Sequence, residues 1–210
     1  MEKTVYLYIG EGFADFEPAI AIDMISKTNT AIPKKREYEI MTFGREKTPV
    51  KSLAGLTVIP KKDFSGVDIS AAAMIILPGT IELMTSDIPE MTNLVTDCRK
   101  NNIPVAAICG ATVFLAKIGC LDTIRHTSNG PGYLKMMAPG YRGERNYVHA
   151  PCISDRGIIT ANPFGHEEFA REIFRSLDLM APEVLEVVYQ GYRKGYVDFD
   201  RVPGQPQQPV

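Results

Sequence analysis

Cys109, Gly110 and Ala111 punctuate an otherwise apolar stretch: Pro104-Val105-Ala106-Ala107-Ile108 runs into the cysteine, and Thr112-Val113-Phe114-Leu115-Ala116 leads away from the two small residues. A short strand, a thiol, two small residues and an apolar helix form the order that a nucleophile elbow requires. The small residues let backbone approach closely, and the free N–H groups of a new helix point back at the sulfur. Such a position is expected to lower a thiol pKa and to accommodate an oxyanion, which is the chemistry of a cysteine nucleophile. A cysteine that merely fills core volume is the competing reading, because cysteine is among the most buried residue types. The strand before it and the helix after it favour the nucleophile.

The elements that must position this thiol are legible as alternating periods. Apolar or β-branched runs at 4–9, 38–43, 72–77, 105–108 and 157–160 predict strands, with a minor hairpin at 50–52 and 56–60. A helix after Pro89 carries Met91, Leu94, Val95 and Cys98 at the spacing of one buried face, which makes Cys98 a core residue. A second helix after Gly165-His166 sets Phe169, Ala170, Ile173, Phe174 and Leu177 opposite Glu167, Arg171, Glu172 and Arg175. Pro182 opens a last one through about Lys194. Strands alternating with helices imply an α/β fold whose mainly parallel sheet is covered on both faces. Ligands bind such sheets beyond the carboxyl ends of the strands, so loops 10–17, 78–80 and 162–168 are candidates to share a site with Cys109.

The chain has 210 residues, 45% of them hydrophobic, and no internal repeat, which fits a single domain over 1–200 with a flexible tail at 201–210 that holds three prolines. A net charge of −2 and the lack of a basic stripe interleaved with aromatics argue against nucleic-acid binding. The run Pro33-Lys34-Lys35-Arg36 reads as a solvated loop. Met1-Glu2-Lys3 passes directly into a β-rich segment, too short for a signal peptide, and no stretch has the length of a membrane span. Cys98, Cys109, Cys120 and Cys152 form no CxxC pair, so neither a zinc site nor a disulfide framework is expected, and reduced thiols in the cytoplasm are the inference. No cofactor or metal is expected.

Taken together, Val105-Ala106-Ala107-Ile108-Cys109-Gly110-Ala111, Asp15-Phe16-Glu17 and Ile76-Leu77-Pro78-Gly79 resemble the DJ-1/PfpI family, also called ThiJ/PfpI, of the class I glutamine amidotransferase-like superfamily. The resemblance runs from residue 5 to about residue 179. It implies a flavodoxin-like three-layer α/β/α sandwich, a homodimer, and a reactive cysteine at a nucleophile elbow. Glu17 matches the family's buried glutamate, here at the start of the first helix. Protonated, it would donate a hydrogen bond to a thiolate; ionised, it would raise the thiol pKa by repulsion. A first-turn acid complementing the helix dipole is the plainer reading. Gly79 and Gly110 are the candidate oxyanion donors.

Two positions depart from the family pattern. Gly110 stands where protease-like members carry a histidine, and Asn129 stands where DJ-1-like members carry one. His166 in Gly165-His166-Glu167-Glu168 resembles the His-x-Glu of glutamine amidotransferases, in which the histidine activates the cysteine and the glutamate, here Glu168, orients it. A water-exposed His166 followed by a first-turn acid explains the same residues. The turn Asn129-Gly130-Pro131-Gly132-Tyr133 is a candidate frame for a small pocket with Thr112 at its floor. His126 falls on the opposite face, His149 reads as structural or interfacial, and nothing near Cys120 or Cys152 would activate them.

Three functions fit these residues. The first is a hydrolase, amidase-like or lyase-like enzyme in which Cys109 attacks a small molecule, Gly79 and Gly110 hold the oxyanion, and Glu17 or His166 handles the proton. The second is an oxidation-sensing, stress-protective protein in which Cys109 is a low-pKa redox thiol without turnover, as the resemblance allows. The third is an interaction protein that uses a dimer surface near Tyr189, Tyr192 and Tyr196. The substrate is not encoded in any recognisable motif.

Overall fold

A computed structural model of the protein describes residues 3–30 and 32–196, so the 201–210 tail lies outside the described residues. Six strands form one sheet: β1 (Thr4–Tyr8), β2 (Glu39–Phe43), β5 (Ala72–Leu77), β6 (Val105–Ile108), β7 (Cys152–Asp155) and β8 (Ile158–Ala161). Their spatial order is β2-β1-β5-β6-β8-β7. All neighbours are parallel except β7, which runs antiparallel to β8. Without β7, the five parallel strands lie in the flavodoxin-like order 2-1-3-4-5. The remaining pair, β3 (Val50–Lys51) and β4 (Thr57–Val58), is the antiparallel hairpin expected from the sequence.

The inner parallel strands β1, β5, β6 and β8 are buried along nearly their whole length because both faces are covered, whereas β2 at the edge is only partly so. Val5 and Leu7 of β1, Met74 and Ile76 of β5, and Ala106 and Ile108 of β6 pack on one side against α1 (Ala19–Ile25), α6 (His166–Leu177) and α7 (Pro182–Lys194). The alternate residues Tyr6, Tyr8, Ile75, Leu77, Val105 and Ala107 face the other side. There they meet α2 (Ile81–Thr85), α3 (Pro89–Lys100), α4 (Gly110–Lys117) and α5 (Pro131–Met137). The period of 2 in the strands thus splits the core into two, one per face of the sheet.

Four features differ from the sequence reading. Strand β7 is added by a two-residue turn in which Arg156 (φ 47°) and Gly157 (φ 77°) both take positive φ, as a tight hairpin turn requires. Helix α2 is a single short turn set by Thr80, whose Oγ1 accepts the Leu83 N–H at 2.9 Å. The segment after Asn129 is a turn only as far as Gly130; Pro131, with its fixed φ, then starts α5. Glu17 precedes α1 rather than lying in its first turn, since residues 15–18 form a turn and the helix begins at Ala19. A helix-dipole role for Glu17 is therefore replaced by a place in the loop that follows β1.

Candidate active site

At the end of β6 the chain turns sharply. Cys109 has φ 54° and ψ −123°, a conformation outside the ordinary regions for a residue with a Cβ, and it caps α4. Strain of this kind costs on the order of 1–3 kcal/mol and persists only where the surroundings over-determine it. Here they do. The Cys109 N–H donates to the Ala161 carbonyl at 2.9 Å, while its own carbonyl accepts the Thr112 N–H at 3.1 Å and the Thr112 hydroxyl at 2.6 Å. Thr112 is fully buried behind the elbow, where its hydroxyl also meets Ser128 Oγ at 2.6 Å. Thr112 therefore braces the bend instead of flooring a pocket.

Three loops converge on the sulfur. The loop after β1 brings Glu17, which is 2% exposed. The loop after β5 brings Gly79, whose N–H donates to Glu17 Oε2 at 2.6 Å. A Cβ on Gly79 would lie 3.0 Å from Glu17 Oε2, 3.1 Å from the Gly110 nitrogen and 3.2 Å from Cys109 Cβ, so the close approach needs glycine. The stretch after α4 brings Asn129, whose Nδ2 donates to Cys109 Sγ at 3.5 Å. Met84 and Tyr133 close the other side: a Cβ on Gly110 would lie 2.8 Å from Met84 Sδ, and the Tyr133 hydroxyl donates to that same sulfur at 3.2 Å. Met84 was not singled out from the sequence, although the glycine at 110 signals that something bulky approaches it.

Electrostatics correct one expectation outright. Burial, which outweighs the hydrogen bonds from Gly79 and from the Cys109 thiol, raises the Glu17 carboxyl to about 7. Burial and then the charge of Glu17 push the Cys109 thiol up to about 11, against the lowering effect of the Asn129 amide and the Gly110 N–H. The low-pKa thiol anticipated from the elbow is thus overturned, because desolvation and a neighbouring carboxyl outweigh the helix terminus. Gly79 is corrected as an oxyanion donor too: its N–H is taken by Glu17. Gly110 keeps its N–H on the sulfur side.

The His166–Glu168 pair is not assembled. Glu168 turns to α7, where it accepts from Arg193 Nη1 at 2.5 Å and from the Tyr189 hydroxyl at 2.9 Å. Burial alone would raise its pKa, but the Tyr189 hydroxyl, its own backbone and Arg193 together hold it below the usual carboxylate range. His166 lies edge-on to Phe16 at 5.7 Å between ring centroids, and its Nδ1 has no hydrogen-bond partner. No hydrogen bond joins it to Cys109 among the described residues. His126 is buried, with Nδ1 on the Ile124 carbonyl at 2.8 Å and Nε2 on the Tyr141 hydroxyl at 2.6 Å, as befits a core histidine. Among the described residues, no group of three or more His, Cys, Asp or Glu is placed to hold a metal ion. None of the described helices is long and apolar enough to cross a membrane.

Residues 3–176 match the DJ-1/PfpI family. The chain is 32% identical over 189 residues to the uncharacterized protease YoaZ of Bacillus subtilis (strain 168), covering 90% of each chain. To the uncharacterized protease YdeA of the same strain it is 26% identical over 206 residues, or 98% of each. Among solved structures, the ThiJ/PfpI family protein from Bacillus anthracis superposes with a TM-score of 0.86 at 28% identity, covering 95% of this chain and 94% of that one. The DJ-1 superfamily protein Atu0886 from Agrobacterium tumefaciens superposes at 0.79 with 29% identity, covering 92% and 98%.

Proposed function

This chain belongs to the DJ-1/PfpI family, and from that premise we propose that it is a cysteine-dependent enzyme in which Cys109 attacks a small electrophile with Glu17, not a histidine, as its base. One arrangement carries the reading: at a strained elbow the Cys109 thiol lies beside Glu17, a buried carboxyl fixed by the Gly79 N–H at 2.6 Å and raised by burial to about 7. A carboxyl poised near neutrality is matched to proton transfer at that pH.

An amide or ester substrate passes through a thioester on Cys109. The Cys109 sulfur bonds to the carbonyl carbon as its proton passes to the Glu17 carboxylate, and the carbonyl π pair moves to oxygen, facing the Gly110 N–H and the Asn129 amide. Collapse expels the leaving group, which takes the proton back from Glu17. Water then cleaves the thioester, giving up a proton to Glu17 that returns to the departing sulfur. Asp15 and Phe16 place Glu17 but take no part in these steps. The family relatives named as proteases favour a hydrolytic outcome. A peroxide-sensing role is less well supported, because oxidation proceeds through a standing thiolate, which burial and the charge of Glu17 oppose here. Four free cysteines fit a reducing, cytoplasmic setting, and exposed Leu53, Leu56 and Ile59 on and beside the hairpin fit coverage by a second copy in a homodimer.

The test is hydrolysis of a panel of neutral amides, thioesters and esters by the parent, Cys109→Ser and Glu17→Gln. Turnover abolished in the first variant and lowered about 10²–10⁴-fold in the second supports the reading. Turnover surviving in Cys109→Ser, or lost only in His166→Ala, would refute it.

A further inference from the structure

Beside the elbow lies a cavity of about 420 Å³ whose walls include Asn129, Tyr147, His149, Pro151, Asn162 and Phe164. That volume is in the range of small-molecule sites. We infer that it is a recognition subsite for an uncharged substrate bearing a flat ring, and that it serves the Cys109 chemistry proposed above, on which this inference rests.

The first support is connection. Asn129 belongs to the cavity wall and also donates to Cys109 Sγ at 3.5 Å, so an occupant sits one side chain away from the sulfur. The second is charge. No carboxylate, ammonium or guanidinium lines the cavity, so an ionic group entering it would lose water and gain no counter-charge. Free amino acids are disfavoured on that ground.

The third support is the state of the polar atoms. The Tyr147 hydroxyl donates to the Ser128 carbonyl at 2.8 Å and accepts the Ser128 N–H at 3.3 Å. Asn162 Oδ1 accepts the Phe164 N–H at 2.9 Å, and its Nδ2 donates to the Ala150 carbonyl at 3.3 Å. With these groups engaged inside the protein, the wall offers mainly ring faces and prolines. Phe164 is 88% exposed although the loop beneath it is pinned, and His149 is exposed with its ring 5.0 Å from that of Tyr147. Rings held open in this way stack well on a planar group.

The experiment follows alkylation of Cys109 in the full chain by iodoacetamide, N-phenyl-iodoacetamide and iodoacetate, with the labelled site located by peptide mass. In each case the S–C bond forms as the C–I bond breaks, iodide leaves, and the thiol proton is released. Rates are divided by those of the same reagents with N-acetylcysteine. The expected result is a phenyl-to-unsubstituted ratio of about ten or more with saturation kinetics, corresponding to ring affinity of about 1.4 kcal/mol, and a value below one for the carboxylate reagent. In Phe164→Ala and His149→Ala, both at exposed positions, the phenyl ratio falls toward one. A parent ratio near one, or a high ratio that survives both substitutions, overturns the subsite while leaving the nucleophile in place. If none of the three reagents labels Cys109, the nucleophile reading itself fails, and the two failures are thereby told apart.

Discussion

Glu17 and Cys109 meet across Gly79: a Cβ there would lie 3.0 Å from Glu17 Oε2 and 3.2 Å from Cys109 Cβ, and that same Oε2 is held by the Gly79 N–H at 2.6 Å. The backbone bond fixes the carboxyl so that it can face the sulfur. With the carboxyl at about 7 and the thiol at about 11, the pair carries one proton between those values.

Alkylation of Cys109 by iodoacetamide against pH should therefore show two rises, one through about 7 as Glu17 becomes able to accept the thiol proton, and a second toward 11. In Glu17→Gln the first rise disappears. The second moves to lower pH, because the like charge that helps hold the thiol up is gone. A parent profile with a single step would contradict the coupling.

Stability should carry the same signature. Glu17 rises from 4.5 to about 7 on folding, so the folded chain binds more protons than the unfolded one between those values, and stability falls as pH increases across that window. The penalty, on the order of 3 kcal/mol, is absent below pH 4.5 and complete above pH 7. Urea unfolding of parent and Glu17→Gln at pH 5 and pH 8 checks it: the variant gains on the parent at the higher pH.

Gly110→Ala should destabilise the protein by about 1–3 kcal/mol through overpacking, since the new Cβ would lie 2.8 Å from Met84 Sδ. Adding Met84→Ala should recover part of the loss. Denaturation of the two single variants and the double variant measures the coupling; strict additivity would place the clash elsewhere.

Glu168→Gln should cost about 1 kcal/mol by weakening a partly buried charged bond to the half-exposed Arg193, with no change in the alkylation profile of Cys109. His166→Ala should likewise preserve that profile. A shifted profile in either variant would restore a cysteine–histidine arrangement.

The sheet was legible because strands buried on both faces read as unbroken apolar runs, as 72–77 and 105–108 do. Strand β7 escaped because Cys152-Ile153-Ser154-Asp155 is a half-exposed edge with a mixed pattern. Cys109 was legible from the abruptness of its flanks, and Glu17 from its match to the family's buried glutamate. Glu168 misled because spacing along a helix fixes which face a side chain occupies, not which neighbour it meets, and that neighbour proved to be α7. The direction of the thiol shift lay beyond sequence reasoning for a related reason: desolvation depends on how tightly distant loops close over the sulfur.

Residues 17, 79 and 129 arrive at the Cys109 sulfur from three separate connections between strands. No peptide excised from the chain can reproduce their meeting, so reactivity appears only once the strands have been put in order. The sulfur consequently acts as a sentinel for the integrity of the entire domain: loosening of any of these connections would register as a change in thiol behaviour well before the sheet itself came apart.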